Sequence, residues 1–356
     1  MVIQKLTKAN RIAIYGAQMV GVSIYYAIKT LYKDIEVICF LVTDKEGNPA
    51  AIDSVPVIEL DNYTGGNAVQ ILLALPEIHH ADVANSLKKK QLNNYILIDS
   101  ETESELMKMY YKKTGEFSVL CDYEPGLQKS ELTVYMSKCH KDKALTKDYP
   151  LPDWVYPIQA GAALTDIRVA DLGDNSGDNI SAKNNNYCEL TALYWVSRNR
   201  SAEYQGLIHY RRILDITEED LYRFKQNEID VILPYPTIQY PNIENHHKRY
   251  IKEKDWQVLL NVLEKKAPQY AHALPAVFSQ KYFYNYNMLI ARKDIFQDYC
   301  EWLFPILQCV EDESQPKGVE RSDRYIGYLG ESLLTLYFIY HKNDYKIVHA
   351  GRKMLI

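Results

Sequence analysis

The sequence has no close cysteine pair, no long apolar run and no excess of positive charge. Its six cysteines are scattered and form no C-x-x-C motif, which argues against a zinc knot or a disulfide framework and is typical of reduced core residues in a cytosolic protein. The segment from Met1 to Arg11 is polar and does not have the pattern of a signal peptide. The longest apolar run, Leu329 to Tyr340, contains Glu331 and indicates a core helix rather than a membrane span.

Length and composition are those of a two-domain globular protein. The chain has 356 residues, 47% of them hydrophobic and 24% charged, which suffices for two separate cores. A net charge of −5 argues against a nucleic-acid partner. The 30 tyrosines suit sugar-binding clefts, although a general compositional bias explains them equally well. We expect a cytoplasmic protein; peripheral attachment to the inner face of the cell membrane and the oligomeric state are left open.

The first residues predict a Rossmann-like unit. An apolar strand, Arg11 to Tyr15, is followed by a glycine-containing turn, a helix and a second strand, Glu36 to Val42. In the dinucleotide fingerprint G-x-G-x-x-G the middle glycine lets the backbone approach a pyrophosphate. Gln18 stands at that position, so we do not expect tight nucleotide binding here. The predicted organisation is a Rossmann-like domain at 1–115, a linker at 116–130 and a second α/β domain at 131–356.

The stretch from Asp174 to Arg212 predicts an anion site. A polar loop leads into a helix from about Tyr187 to Asn199, and a short strand, Gly206 to Ile208, then runs into two adjacent arginines. Asparagines at a helix start leave backbone N–H groups that favour negative charge. Side chains that follow strand ends lie where α/β sheets collect ligands. Together these features predict a diphosphate site.

Several blocks resemble a known family. They read V-Y-P-I-Q-A-G-A-A-L, G-D-N-I-S-A-K-N-N-N-Y-C-E-L-T-A-L-Y-W, G-L-I-H-Y-R-R, D-V-I-L-P-Y-P, Y-N-Y-N-M-L-I-A-R-K-D-I-F, C-E-W-L-F-P-I-L and R-Y-I-G-Y-L-G-E-S-L-L. From about Leu132 onwards the chain is similar to a family first described only as a domain of unknown function, whose members occur in bacterial capsule and exopolysaccharide loci and are treated as glycosyltransferases. The N-terminal unit resembles, at the level of fold only, a small Rossmann-like domain of bacterial sugar-modifying and polysaccharide-assembly proteins.

The resemblance implies a GT-A-like fold and the transfer of a sugar from a UDP-sugar to a lipid-linked oligosaccharide. It suggests galactose or galactofuranose as the sugar, in capsule or exopolysaccharide synthesis. A rival interpretation is a non-catalytic subunit that binds sugar nucleotides or acts as a scaffold in an assembly complex. An NAD-linked sugar-modifying enzyme is disfavoured by Gln18.

Candidate donor-binding residues lie at strand ends and in the polar loop. Many GT-A enzymes hold a divalent cation with an Asp-x-Asp motif, whereas this strand ends in two guanidinium groups that can neutralise a diphosphate directly. We therefore expect no required metal, with Asp174 and Asp178 kept open as ligands. An arginine paired with Asp215, a solvated turn and a structural histidine are the alternatives. Arg211 and Arg212 are candidate catalytic residues, and the donor-binding candidates are His140, Lys141, Gln159, Gly161, Asp178, Asn179, Lys183, Asn184, His209 and Tyr210.

The acceptor side and the catalytic base are predicted from the C-terminal third. His246 and His247 belong to a polar loop that suits acceptor recognition, and Asn285 and Asn287 alternate with tyrosines on a predicted strand from Tyr284 to Ile290; core amides are the plain alternative. Transfer needs a group that takes a proton from the acceptor hydroxyl. Glu331, at the start of a predicted apolar helix, is the candidate base, and helix capping is its alternative role. Three further residues before it are candidates for closing the site, namely Arg321, Asp323 and Arg324.

Overall fold

A computed structural model describes residues 10–146, 148–318 and 323–356 and contains two α/β units. The first unit comprises β1 (Arg11–Tyr15), α1 (Met19–Leu31), β2 (Glu36–Val42), β3 (Ala51–Ile52), β4 (Val55–Glu59), β5 (Gln70–Leu73), α2 (His80–Lys89), β6 (Tyr95–Leu97) and α3 (Ser100–Thr114). Its sheet has the order β3-β4-β2-β1-β5-β6 and is parallel except for the β3–β4 hairpin. The strand order reverses between β1 and β5, as in Rossmann-like sheets.

Alternate residues along these strands enter two cores because successive side chains point to opposite faces. On one face Ile12 and Ile14 pack with α1 and α3, and on the other Ala13 and Tyr15 pack with α2. Both faces of the central strands are therefore buried, which explains the continuous apolar runs in the sequence.

The second unit contains the larger sheet. Its elements are β7 (Leu132–Lys138), β8 (Val155–Gln159), β9 (Leu172–Gly173), α4 (Asn184–Tyr187), α5 (Leu190–Asn199), β10 (Tyr204–His209), β11 (Arg212–Leu214), α6 (Leu221–Gln226), β12 (Val231–Pro234), β13 (Thr237–Ile238), α7 (Glu253–Lys266), α8 (Pro268–Phe278), β14 (Tyr282–Phe283), β15 (Leu289–Arg292), α9 (Lys293–Glu313), α10 (Tyr325–Tyr340), β16 (Ile347–Ala350) and β17 (Arg352–Met354). The main order is β16-β12-β15-β10-β7-β8-β9, with β11 and β17 added at β10.

The middle of this sheet is parallel, and one strand runs against it. Strands β10, β7, β8 and β9 are parallel neighbours, whereas β15 is antiparallel to both β10 and β12. One face is covered by α5 and α7 to α10, and the other face by a core that includes α6. Because β8 and β9 lie on one side of β7 and β10 lies on the other, the carboxyl ends of β7 and β10 form the point where the strand order reverses.

The two units share a buried core. The hydroxyl of Tyr111 in α3 donates to the carbonyl of Pro236 at 2.7 Å, and the Phe117 ring packs edge-on against both Tyr282 and His349. Arg352 in β17 also pairs with Glu103 of α3 at 2.7 Å. The segment predicted as a linker, 116–130, is thus packed against both units at Phe117.

Three local expectations were wrong. The helix predicted from Tyr187 is broken at Cys188, whose φ is +54°, so the three asparagines occupy a separate turn. The predicted strand from Tyr284 to Ile290 is interrupted because Tyr286 and Asn287 have φ of +71° and +47°. Glu331 lies within α10 rather than at its start, so helix capping does not explain it. No helix in the described ranges is long and apolar enough to span a bilayer.

Candidate active site

A cleft of about 750 Å³ opens at the carboxyl ends of β7 and β10. Strands position its floor, α10 forms one wall, and the loop after β13 and the first unit close it. The cleft residues are Met19, Pro76, Ser137, Lys138, Cys139, Lys141, Asp142, Ala160, Asn184, Asn185, Cys188, Glu189, His209, Tyr210, Arg211, Arg212, His246, Tyr250, Asn285, Tyr286, Arg324, Gly327, Tyr328 and Glu331.

The tight β10–β11 hairpin positions the two arginines. His209 pairs with Arg212 across the hairpin, and the Arg212 guanidinium lies 4.2 Å from the centre of the Tyr286 ring. Arg211 makes a long contact of 3.4 Å with the carbonyl of Lys143. Within the described chain, the buried Nε of each arginine has no hydrogen-bond partner and neither guanidinium forms a salt bridge. Asp215 pairs with Lys353 at 2.7 Å instead, which removes the alternative of an arginine neutralised by that carboxylate.

Two carboxylates lie in the same cleft. The backbone N–H of Tyr286 donates to Glu331 at 2.8 Å, and the side-chain amide of Asn287 donates to Glu189 at 2.6 Å. His209 Nε2 lies 3.7 Å from Glu189 and 2.7 Å from the carbonyl of Tyr286, to which it donates. The positive φ at Tyr286 and Asn287 turns the chain so that adjacent residues reach two different carboxylates.

These two glutamates differ in protonation behaviour. Burial, and then the nearby charge of Glu189, raise the pKa of Glu331 to about 8, while the Tyr286 N–H and Arg212 act in the opposite direction. A carboxyl with such a pKa is mostly protonated at neutral pH and becomes a strong proton acceptor once ionised. The negative charge of Glu189 is the second cause of the raised pKa of Glu331, after burial.

Polar groups at the end of β7 extend the cationic side of the cleft. Lys141 Nζ donates to Asn185 at 3.3 Å. Asp142 accepts from the backbone N–H of Cys139 at 2.7 Å, and burial raises its pKa although His209, Arg211 and Arg324 oppose this. Asn184 lines the cleft, but its side-chain N–H groups are used within α4 and α5, on the carbonyl of Cys188 and the hydroxyl of Thr191.

The opposite side of the cleft carries His246 and Asn285. Burial lowers the pKa of His246 to about 3, so the ring is neutral. Its Nδ1 lies 3.1 Å from the side-chain oxygen of Gln239, whose NH₂ group donates to Thr237. Because that oxygen can only accept, Nδ1 carries the proton and Nε2 remains an acceptor. Asn285 contacts Met19 of the first unit, with 2.8 Å between Nδ2 and Sδ.

Several predicted donor residues lie outside the cleft. Gln159 is fully buried, and its amide bonds to the backbone at Ile167 and Val169. Gly161 has φ of +71° and donates to Asp174, which is buried and also accepts from Ala162. Asp174 therefore supports a turn.

The remaining polar-loop candidates point to other partners. Lys183 donates to Gln308 and Glu311. Asp178 is exposed and accepts from Tyr194, and Asn179 bonds to the carbonyl of Gly177. His140 Nδ1 lies 3.8 Å from Cys139 Sγ and does not line the cleft.

Two predicted acceptor residues have structural contacts instead. His247 is 3% exposed and stacks on Trp256 with ring centres 4.1 Å apart. Asn287 is fully buried and donates to Glu189 and to the carbonyl of Gly327, two residues that line the cleft. Asp323 contributes a backbone carbonyl that accepts from Asn186, Arg324 lines the cleft, and Arg321 lies outside the described residues.

The sequence reasoning missed Glu189, Asp142, Tyr250, Tyr328 and Met19. Glu189 had a usable signal, since it is a carboxylate within an apolar helical run, the same argument that selected Glu331. The others depend on contacts between distant segments. Across the described ranges, no group of three or more His, Cys, Asp or Glu side chains is placed to hold a metal ion.

The fold is that of a glycosyltransferase-like α/β protein, with a Rossmann-like unit followed by a GT-A-like unit. A solved structure described as the WbbM bifunctional glycosyltransferase in its apo state is 31% identical, with a TM-score of 0.55, over 63% of this chain and 45% of that chain. The chain thus spans less than half of that protein's length. The model of the family called domain of unknown function DUF4422 matches residues 134–343, and the chain belongs to this family. No curated protein matches it.

Proposed function

We propose that this protein is a glycosyltransferase that moves a sugar from a nucleotide diphosphate sugar to a hydroxyl of a carbohydrate acceptor. The observation that carries the proposal is the pair of cleft arginines, each with a buried Nε that has no hydrogen-bond partner in the described chain, in the same cleft as two glutamates. The likeness to a glycosyltransferase structure supports it. In its finer form, the donor is a UDP-sugar carrying galactose or galactofuranose, and the acceptor is a lipid-linked oligosaccharide in capsule or exopolysaccharide synthesis.

The arginine pair is proposed to hold the diphosphate. Buried N–H groups without a partner are costly, and a phosphate oxygen removes that cost by accepting from them. Hydrogen bonds to charged groups contribute about 1.5–3 kcal/mol each. Lys141, which also lines the cleft, adds a third positive charge near the end of β7.

Positive charge from the protein is proposed to replace a divalent cation. As the bond between the sugar and the diphosphate breaks, negative charge grows on the leaving diphosphate, and fixed guanidinium groups stabilise it without reorganising. The same two guanidinium groups repel a cation from that position. Metal-independent turnover is therefore part of the proposal.

Glu331 is proposed to take the proton of the acceptor hydroxyl as that oxygen bonds to the sugar. Its pKa of about 8 lies near neutral pH, where a general base combines adequate ionisation with strong basicity. Glu189 raises that pKa, and Asn287 holds Glu189 in place. His209 acts as a positioning residue because it donates to the backbone that carries the Tyr286 N–H.

A donor-hydrolysis screen with the full chain tests the proposal. The protein is incubated with a set of UDP-sugars with and without EDTA, and released UDP is measured. We expect release from one or a few donors, at equal rates in the two conditions. Binding of UDP without any release would support the scaffold-subunit alternative, and activity that EDTA abolishes and manganese restores would contradict metal independence.

A further inference from the structure

A stacked pair of tyrosines, one exposed and one half-buried, lies beside the proposed base. Tyr250 and Tyr328 stack with ring centres 5.1 Å apart and planes inclined by 27°. Both line the cleft, yet Tyr250 leaves 45% of its surface exposed. Such exposure in a large aromatic residue inside a cleft is typical of a recognition surface rather than a core contact.

The helical geometry brings this pair next to Glu331. Tyr328 and Glu331 are three residues apart in α10, so they share a face and differ by about 4.5 Å along the helix axis. The ionised form of Glu331 is also among the charges that raise the pKa of Tyr250, after burial as the main cause. A ring resting on the tyrosines would therefore present its edge to Glu331.

The groups around the tyrosines have the chemistry of a sugar subsite. Neither phenol hydroxyl has a hydrogen-bond partner within the described chain, so both are available to ligand hydroxyls. His246 lies 5.2 Å from Tyr250, ring centre to ring centre, and its Nε2 is an acceptor. Met19 of the first unit adds an apolar side chain to the same cleft, where Lys141, Arg211 and Arg212 follow strand ends and Arg324 directly precedes α10.

We propose that Tyr250 and Tyr328, with His246 at the rim and Met19 from the first unit, form the subsite for the acceptor's sugar ring. The apolar face of the ring packs on the tyrosine rings, and one ring hydroxyl reaches Glu331. This inference rests on the proposed function, because it names the acceptor of the same reaction. It also gives the first unit a role as one wall of the acceptor subsite.

The test compares two fates of the donor sugar. Tyr250→Ala and Tyr328→Ala are assayed with the donor found by the screen and with methyl glycosides of galactose, glucose and N-acetylglucosamine as acceptors. The ratio of transfer to hydrolysis is measured. Tyr340→Ala is the matched control, because Tyr340 is a partly exposed tyrosine at the far end of the same helix. Tyr250→Trp retains an aromatic face.

We expect the ratio of transfer to hydrolysis to fall about ten-fold in each alanine variant, which corresponds to the loss of about 1.4 kcal/mol of transition-state stabilisation. The expected change is mainly in KM for the glycoside, with Tyr250→Trp recovering most of the loss and Tyr340→Ala leaving the ratio unaltered. An unchanged ratio in both alanine variants would overturn the subsite. So would failure of every glycoside to accept sugar in a protein that hydrolyses the donor.

Failure of the proposed function has a different signature. If the unmodified chain hydrolyses no donor, the reaction assignment is contradicted, and calorimetric titration with the same glycosides then decides the subsite. Glycoside binding that Tyr250→Ala weakens and Tyr340→Ala does not would support a saccharide site on the tyrosines. No binding by the unmodified chain would overturn it.

Discussion

Each sheet reverses its strand order beside its first strand, β1 or β7, and the two reversal points are built differently. In the second unit the strand ends lead to Arg211 and Arg212, whose buried Nε atoms are without partners in the described chain. In the first unit the corresponding turn carries Gln18, whose side chain accepts from Arg249 and donates to Gly47 and Asn48. One reversal point offers positive charge to a ligand, and the other is occupied by contacts within the protein.

Two glycines of the turn after β1, Gly16 and Gly21, leave no room for a side chain. A Cβ on Gly16 would lie 2.4 Å from the carbonyl oxygen of Ala74, and one on Gly21 would lie 1.8 Å from the carbonyl oxygen of Gly16. These two glycines are needed for the turn and for close packing of helix on strand, whatever binds there. Only the middle position, where Gln18 stands, is free to change. The comparison teaches that a Rossmann-like turn can have its packing glycines without the glycine that lets a phosphate approach the backbone.

The largest effect on the transfer rate is expected from replacing Glu331, the proposed catalytic base. Glu331→Gln should lower the rate of sugar transfer by about 10²–10⁴-fold, the usual contribution of a general base. Its Kd for UDP, measured by calorimetry, should change far less, because the base acts on the acceptor proton. Transfer at the unmodified rate would exclude Glu331 as the base and assign it a packing role.

The arginines should show the next largest effect. Arg211→Ala and Arg212→Ala are each expected to cut kcat about ten-fold or more and to weaken UDP binding, since each removes a charge-assisted contact. Arg198→Ala is a matched control, because Arg198 pairs at the surface with Asp178, outside the cleft. If replacing the cleft arginines changed kcat and UDP binding as little as Arg198→Ala does, the reversal point of the second unit would not be an anion site.

Replacing Glu189 should shift the pH dependence of sugar transfer. Transfer should rise with pH as Glu331 ionises, towards its pKa of about 8. Glu189→Gln removes a negative charge that raises this pKa, so the acidic limb of the kcat/KM profile should move to lower pH. Glu311→Gln, a change in a carboxylate paired with Lys183 away from the cleft, serves as the control. If the acidic limb of the kcat/KM profile stays at the same pH in Glu189→Gln, the charge of Glu189 does not influence the pKa of the catalytic base.

The smallest effect is expected at the first reversal point. Gln18→Gly introduces the middle glycine of the fingerprint, yet we expect affinity for UDP and for NAD to stay within about two-fold of the unmodified chain. The reason is that the turn still has no cation of its own and faces the second unit at Arg249. Calorimetry in an Arg211→Ala, Arg212→Ala background isolates this crevice. Micromolar nucleotide binding in this crevice would contradict the prediction and would show that one glycine is enough to make the first reversal point a nucleotide site.

The sequence was sufficient for features that depend on local pattern. Apolar runs and their turns predicted the α/β class, and the paired arginines after β10 were located in the cleft as expected. It was insufficient where tertiary contacts decide the backbone. Tyr286 and Asn287 have positive φ although neither is a glycine, so the sequence gives no sign of this backbone conformation. It turns a predicted strand into the loop that contacts both glutamates. Likewise Gln159 and Lys183 are polar residues whose partners, Val169 and Glu311 among them, fold back from other segments.

The buried contacts between the two units have a consequence for how the chain can be divided. Tyr111, Phe117 and Tyr282 fill one interior that contains side chains from both units, so a cut near residue 115 would expose aromatic surface on each piece. Recombination that exchanges the N-terminal unit for another Rossmann-like module would have to replace this aromatic interior at the same time. The two halves are therefore expected to be inherited, and to melt, as one cooperative body rather than as interchangeable modules.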